Sequence, residues 1–109
     1  MTFTVRITER AAREICDAAA WWARERSIDE AERWYQGIRG AIAGLGTLAR
    51  RCAVIADQAG LKYETREFHY GSGSTPTHRV IFAIVGEQVV VLTVRHFARG
   101  PLDSEDFIG

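Results

Sequence analysis

The sequence predicts one α+β domain, residues 1–109, in the order β-α-α-β-β-β, with an N-terminal helical hairpin packed on a small, mostly antiparallel sheet. Three observations predict it. Residues 2–8 alternate polar and apolar at period two, the pattern of a half-buried strand. Two stretches between residues 9 and 48 repeat apolar residues at helical spacing and are separated only by a capping sequence. Residues 78–85 and 88–96 are rich in β-branched and aromatic side chains and flank Gly86-Glu87, as the two strands of a buried hairpin would.

In the first strand, Phe3, Val5 and Ile7 share a face. Thr8 can cap a helix over residues 9–26, with Glu9 favourably placed against the helix dipole. The expected apolar stripe is Ala12, Ile15, Cys16, Ala19, Trp22 and Ala23. Ser27-Ile28-Asp29-Glu30 has the capping-box pattern and starts a second helix almost at once, so the two helices must run antiparallel. Its stripe would be Ala31, Trp34, Tyr35, Ile38, Ile42, Leu45 and Leu48. Gly37, Gly40, Gly44 and Gly46 each weaken a helix by about 1 kcal/mol relative to Ala, which close approach of another element can offset. A loop is expected over 49–61, a strand over 62–70, and a turn over Gly71–Thr77.

Gly86-Glu87 suits a type II′ turn because Gly takes the positive φ that other residues resist. With this two-residue loop Val85 faces Gln88. Counting back without interruption puts Arg79 opposite Val94 and His78 opposite Arg95. Each face of the hairpin would then carry one Arg and one His near its open end.

Arg and His together suit phosphodiester chemistry. Arg can clamp phosphate oxygens and stabilise developing charge, and His can transfer protons near neutral pH. Arg and His at strand ends also commonly do no more than solvate the rim of a sheet. No GxxxxGK[ST], GxSxG or HExxH motif is present, and Cys16, Cys52, His69, His78 and His96 have no metal-ligand spacing. The two cysteines read as reduced thiols of a cytoplasmic protein. No apolar run is long enough to span a membrane, and no leader segment is apparent at the start.

Formal net charge is zero, which gives no bulk electrostatic pull toward nucleic acid. Residues 50–99 nevertheless hold seven basic and four acidic residues, and the segment after Pro101 is acidic. Trp22 and Trp34 fall on the buried stripes. Trp21 falls off its stripe, and an exposed Trp is a candidate partner contact.

Several segments, taken in order, resemble the RelE/ParE superfamily of toxins from bacterial type II toxin–antitoxin systems. They are Ile7-Thr8-Glu9-Arg10-Ala11, Ala31-Glu32-Arg33-Trp34-Tyr35, Arg66-Glu67-Phe68, His78-Arg79-Val80-Ile81-Phe82, Val89 through His96, and Phe97-Ala98-Arg99-Gly100-Pro101-Leu102. The resemblance implies a compact toxin neutralised by a cognate antitoxin. It also implies one of two actions: ParE-like poisoning of DNA gyrase, or RelE-like cleavage of mRNA on the ribosome. If the chain is a ribonuclease, the family's functional strand positions carry over to Arg66, Arg79 and Arg95, with His96 as the proton-transfer group. Trp21 and Arg99 are the candidate partner-binding residues. No cofactor, metal, membrane or small-molecule substrate is implied.

The chain departs from the ribonuclease pattern in having Lys62 as its single lysine, Phe97 where a terminal Tyr is frequent, and no net positive charge. These departures favour a ParE-like growth inhibitor, such as a plasmid-stabilisation toxin, that acts by binding. A RelE-like endoribonuclease is the alternative. A degenerate, non-toxic member is the second alternative.

Overall fold

The computed structural model describes residues 2–55 and 61–99. Its elements are β1 (Thr4–Ile7), α1 (Glu9–Glu25), α2 (Ile28–Ala43), α3 (Leu45–Leu48), β2 (Ala53–Val54), β3 (Glu64–Tyr70), β4 (His78–Val85) and β5 (Gln88–His96). Single 3₁₀ turns occupy Ala49–Arg51 and Phe97–Arg99. The five strands form one sheet in the order β1-β5-β4-β3-β2. All pairings are antiparallel except β1 with β5.

Both helix starts follow the local chemistry expected of them. The Thr8 hydroxyl accepts from the Ala11 N–H at 3.1 Å and donates to the Leu92 carbonyl at 3.2 Å, so one side chain caps α1 and ties it to β5. Ser27 Oγ accepts from the Glu30 N–H at 3.1 Å. The helices cover one face of the sheet. Trp34, Ile38 and Ile42 of α2 and Ala11 and Ile15 of α1 pack against Val80, Phe82, Ile84, Val89, Val91 and Val94. Burying side chains of this size contributes about 1.5–3 kcal/mol each, which makes this layer the main source of stability.

The stripe on α1 is rotated from the expected one. Ala11 and Ile15 are buried and Ala18, Ala19 and Trp22 are partly buried, whereas Ala12, Cys16 and Ala23 face solvent. Alanine and cysteine fit either side of a helix, so their spacing fixes the phase weakly. On α2 the expected stripe holds through Leu45, but the helix breaks at Gly44 and Leu48 is 46% exposed. Gly46 lets the Phe3 backbone approach: Phe3 N donates to the Gly46 carbonyl at 2.7 Å. At Gly37 a Cβ would overlap the Tyr70 hydroxyl, so this glycine admits an aromatic ring from β3.

The expected loop over 49–61 contains structure. Ala53–Val54 pair with Arg66 and Glu67 as an edge strand, held in part because Arg66 Nη1 donates to the Cys52 carbonyl. Two residues give too short a pattern to read from sequence. Residues 56–60, and the acidic segment after Pro101, lie outside the described residues.

The terminal hairpin has the expected strands and turn, with Gly86 at φ +60°. Its register differs from simple counting. Ile81 pairs with Thr93 but Phe82 pairs with Val91, so Leu92 is an extra residue and β5 is bulged there. The bulge lies where β1 ends and the chain turns into α1: Thr8 N–H donates to the Val91 carbonyl and Thr8 Oγ1 to the Leu92 carbonyl. Beyond it Arg79 faces Arg95, and His78 faces His96. The two arginines therefore share one face and the two histidines the other, correcting the expected arrangement of one Arg and one His per face.

Candidate functional site

The bulge sorts the open end of the hairpin into two chemically different surfaces. On the face away from the helices, Arg79 and Arg95 are joined by Glu67 and His69 of β3, with His69 directly opposite Arg79. Arg79 donates to Glu67 through Nε at 3.0 Å and Nη2 at 2.8 Å, a bidentate pair. His69 Nε2 lies 2.8 Å from Glu67 Oε1, and its ring meets Phe97 edge-on at 5.0 Å. The Arg79 guanidinium holds the Glu67 carboxyl below its usual range, with His69 helping and burial opposing. Arg95 is buried and donates through Nη2 to the Arg99 carbonyl at 3.1 Å.

On the helix face, the His78 and His96 rings meet edge-on with centroids 5.1 Å apart. His78 also lies against Trp34 at 5.1 Å and shares a 2.8 Å hydrogen bond between its Nδ1 and the Thr77 hydroxyl. Burial, reinforced by the neighbouring His96, pushes the His78 pKa down to about 4. His96 is exposed, and its Nδ1 accepts from the Ala98 N–H at 3.0 Å. That bond fixes the neutral ring as the Nε2–H tautomer, which leaves a donor and no free lone pair.

A groove of about 560 Å³ opens between α1 and this histidine end. Its walls include Asp17, Trp21, Trp22, His78, His96 and Arg99. Trp21 is 47% exposed and meets Trp22 edge-on at 5.4 Å. Glu14 anchors the groove to the sheet. Its Oε1 accepts from the Thr93 hydroxyl at 2.7 Å and from the Val94 N–H at 3.0 Å, covering the stretch of β5 that β1 does not reach. Its Oε2 faces Arg99 Nη1 at 3.4 Å.

The four residues proposed for nucleic-acid cleavage are thus divided. Arg79 and Arg95 lie side by side, but Arg66 and His96 are on the opposite face. Arg66 is also bound to Glu64 and to the Arg50 and Cys52 carbonyls. Trp21 and Arg99, far apart in sequence, line the same groove. Glu14 and Asp17 were not singled out from the sequence, and His78 was placed opposite Arg95 rather than His96. The signal for the first two was there: Arg10, Glu14, Asp17 and Trp21 recur at intervals of three and four, a polar stripe along one side of α1. His78 required the corrected register.

A family model described as the ParE toxin of type II toxin–antitoxin systems, parDE, matches residues 5–101. The chain belongs to the ParE toxin family. Similar folds occur in the chromosomal ParDE system from P. aeruginosa, with a TM-score of 0.68, 14% identity, and coverage of 87% of this chain and 96% of that one. The toxin–antitoxin complex RelBE2 from Mycobacterium tuberculosis is also similar, with a TM-score of 0.50, 22% identity, and coverage of 88% and 99%. At these identities the likeness concerns the fold. None of the curated proteins compared matches the chain. Among the described residues of this ParE-family chain, no helix is long and apolar enough to cross a membrane.

Proposed function

We propose that this ParE-family chain is a cytoplasmic growth inhibitor that acts by binding a cellular target, DNA gyrase, and is neutralised by a cognate antitoxin. The observation that carries the binding mode is the state of the Arg and His set. Arg79 is neutralised by a bidentate carboxylate, and the His96 lone pair is already taken by a backbone N–H. A general base needs a free lone pair within reach of the proton it removes, and a phosphate clamp works best with its charge uncompensated. The family match and the occurrence of similar folds in toxin–antitoxin complexes support the antitoxin as partner.

One observation favours the ribonuclease reading. Arg79 and Arg95 are adjacent, with His69 across from Arg79, so two cations and an imidazole do share a face. Induced expression of the wild-type chain and of Arg79→Ala in a bacterial host separates the two. The binding reading expects growth arrest in both strains, induction of the DNA-damage response and no new mRNA ends. Arrest that is lost in Arg79→Ala together with mRNA cuts in the wild-type strain establishes the nuclease. Unchanged growth with soluble, folded protein establishes a non-toxic member.

A further inference from the structure

The groove beside α1 combines three features that belong together chemically. It offers two indole rings, Trp21 and Trp22, set edge-on to one another. Its rim carries two carboxylates, Glu14 and Asp17. A guanidinium of the chain itself, that of Arg99, already lies 3.4 Å from Glu14 Oε2 there. Indole faces attract cations through the ring quadrupole, Trp being the strongest of the aromatic side chains. His78 does not oppose this near neutral pH, since burial holds it in its neutral form. Glu14 is committed to Thr93, Val94 and Arg99, whereas Asp17 is exposed on the rim. The volume lies within the roughly 300–1,000 Å³ typical of ligand pockets, enough for a long side chain and an apolar neighbour.

We propose that this groove is an anchor site for a basic side chain of a protein partner, seated over Trp21 and Trp22 and against the Asp17 carboxylate. The partner segment presents an arginine or lysine flanked by an apolar residue that rests on Ala18 and Val94. Assigning that segment to the antitoxin rests on the toxin–antitoxin reading; the cation preference of the groove does not.

The test uses the purified full chain and two small probes, N-acetyl-arginine amide and its neutral isostere N-acetyl-citrulline amide. The indole N–H resonances are followed by ¹H–¹⁵N NMR, with Trp34, which is fully buried, as internal control. The expected result is a saturable shift of Trp21 and Trp22 by the arginine probe, on the order of millimolar as suits so small a ligand, with Trp34 unmoved. Citrulline should give little shift, and Asp17→Asn should weaken arginine binding at least about three-fold by removing the charge partner without lowering the melting temperature. No shift, equal shifts from both probes, or unchanged affinity in Asp17→Asn overturns the site. Growth-inhibition results do not bear on these outcomes, so failure of the anchor and failure of the toxin reading are distinguishable. Co-expression with the cognate antitoxin is the second arm. Neutralisation weakened by Trp21→Ala and Asp17→Asn supports the antitoxin as the source of the basic side chain, and unchanged neutralisation overturns that assignment.

Discussion

His78 links a buried position to a measurable pH response. Its pKa falls from the ordinary 6.5 to about 4 because burial against Trp34 disfavours the imidazolium and His96 adds repulsion. A base with a depressed folded-state pKa binds its proton more readily when unfolded. Its effect on stability is therefore absent above pH 6.5 and grows as the pH drops toward 4. The full shift corresponds to about 3 kcal/mol of destabilisation. Chemical denaturation of the wild-type chain should show stability falling between pH 6.5 and 4.5, and His78→Gln should flatten that slope. An equal slope in the variant would remove His78 as its cause. The carboxylates act lower. Glu64 and Glu67 are both held below their ordinary 4.5, mainly by hydrogen bonds from Arg66 and Arg79 respectively, so their contributions are complete above 4.5 and lost as the pH falls further. At Gly37 the constraint is steric. Gly37→Ala drives a methyl group into the Tyr70 hydroxyl and should cost roughly 1–3 kcal/mol, as overpacking of a filled site does. Tyr70→Phe removes the overlapping oxygen, so the same substitution in that background should cost clearly less in a thermal melt. Equal losses in both backgrounds would mean that the ring and the helix do not meet as described.

At the scale of elements, the bulge at Leu92 and the Glu14 carboxylate do related work. β1 pairs with β5 only as far as Ile7 with Val91. Past that point the edge of β5 would have an unpaired N–H at Val94, and Glu14 supplies the acceptor from α1. Glu14→Ala leaves that donor and the Thr93 hydroxyl without the carboxylate. The expected loss is about 1–3 kcal/mol, the cost of an unsatisfied buried polar group, seen as a lower denaturation midpoint at unchanged m-value. A neutral result would show that water replaces the carboxylate without penalty. These features explain what the sequence could reveal. Thr8 and Ser27 announce their helices because a cap is local chemistry, and Gly86 announces its turn because positive φ is a local demand. The bulge answers to tertiary circumstance, the meeting of β1, α1 and β5, and no residue near Leu92 encodes it locally. A one-residue slip there moved every Arg and His at the open end relative to its cross-strand neighbour. The candidate site was therefore less legible than the fold, although its residues were all in view. The β2 edge strand was missed for another reason: two residues carry no periodicity.

For the whole molecule, the helical hairpin on one sheet face leaves two surfaces for function. The sheet face away from the helices carries arginines already bound by Glu67 and a backbone carbonyl, and the groove at α1 carries indole rings and carboxylates. The first is suited to holding the strands together, the second to taking hold of another protein. This division is what favours inhibition by binding over catalysis in this ParE-family chain. The most direct test is a supercoiling assay with purified DNA gyrase, relaxed plasmid and ATP, with and without the purified chain. The chain is expected to inhibit supercoiling, gyrase-linked DNA breaks to accumulate, and Arg79→Ala to inhibit within about three-fold of wild type, a difference under 1 kcal/mol. Undiminished supercoiling at saturating chain, with ribosome-dependent cleavage of mRNA by the same preparation, would contradict it and return Arg79 and Arg95 to the chemistry.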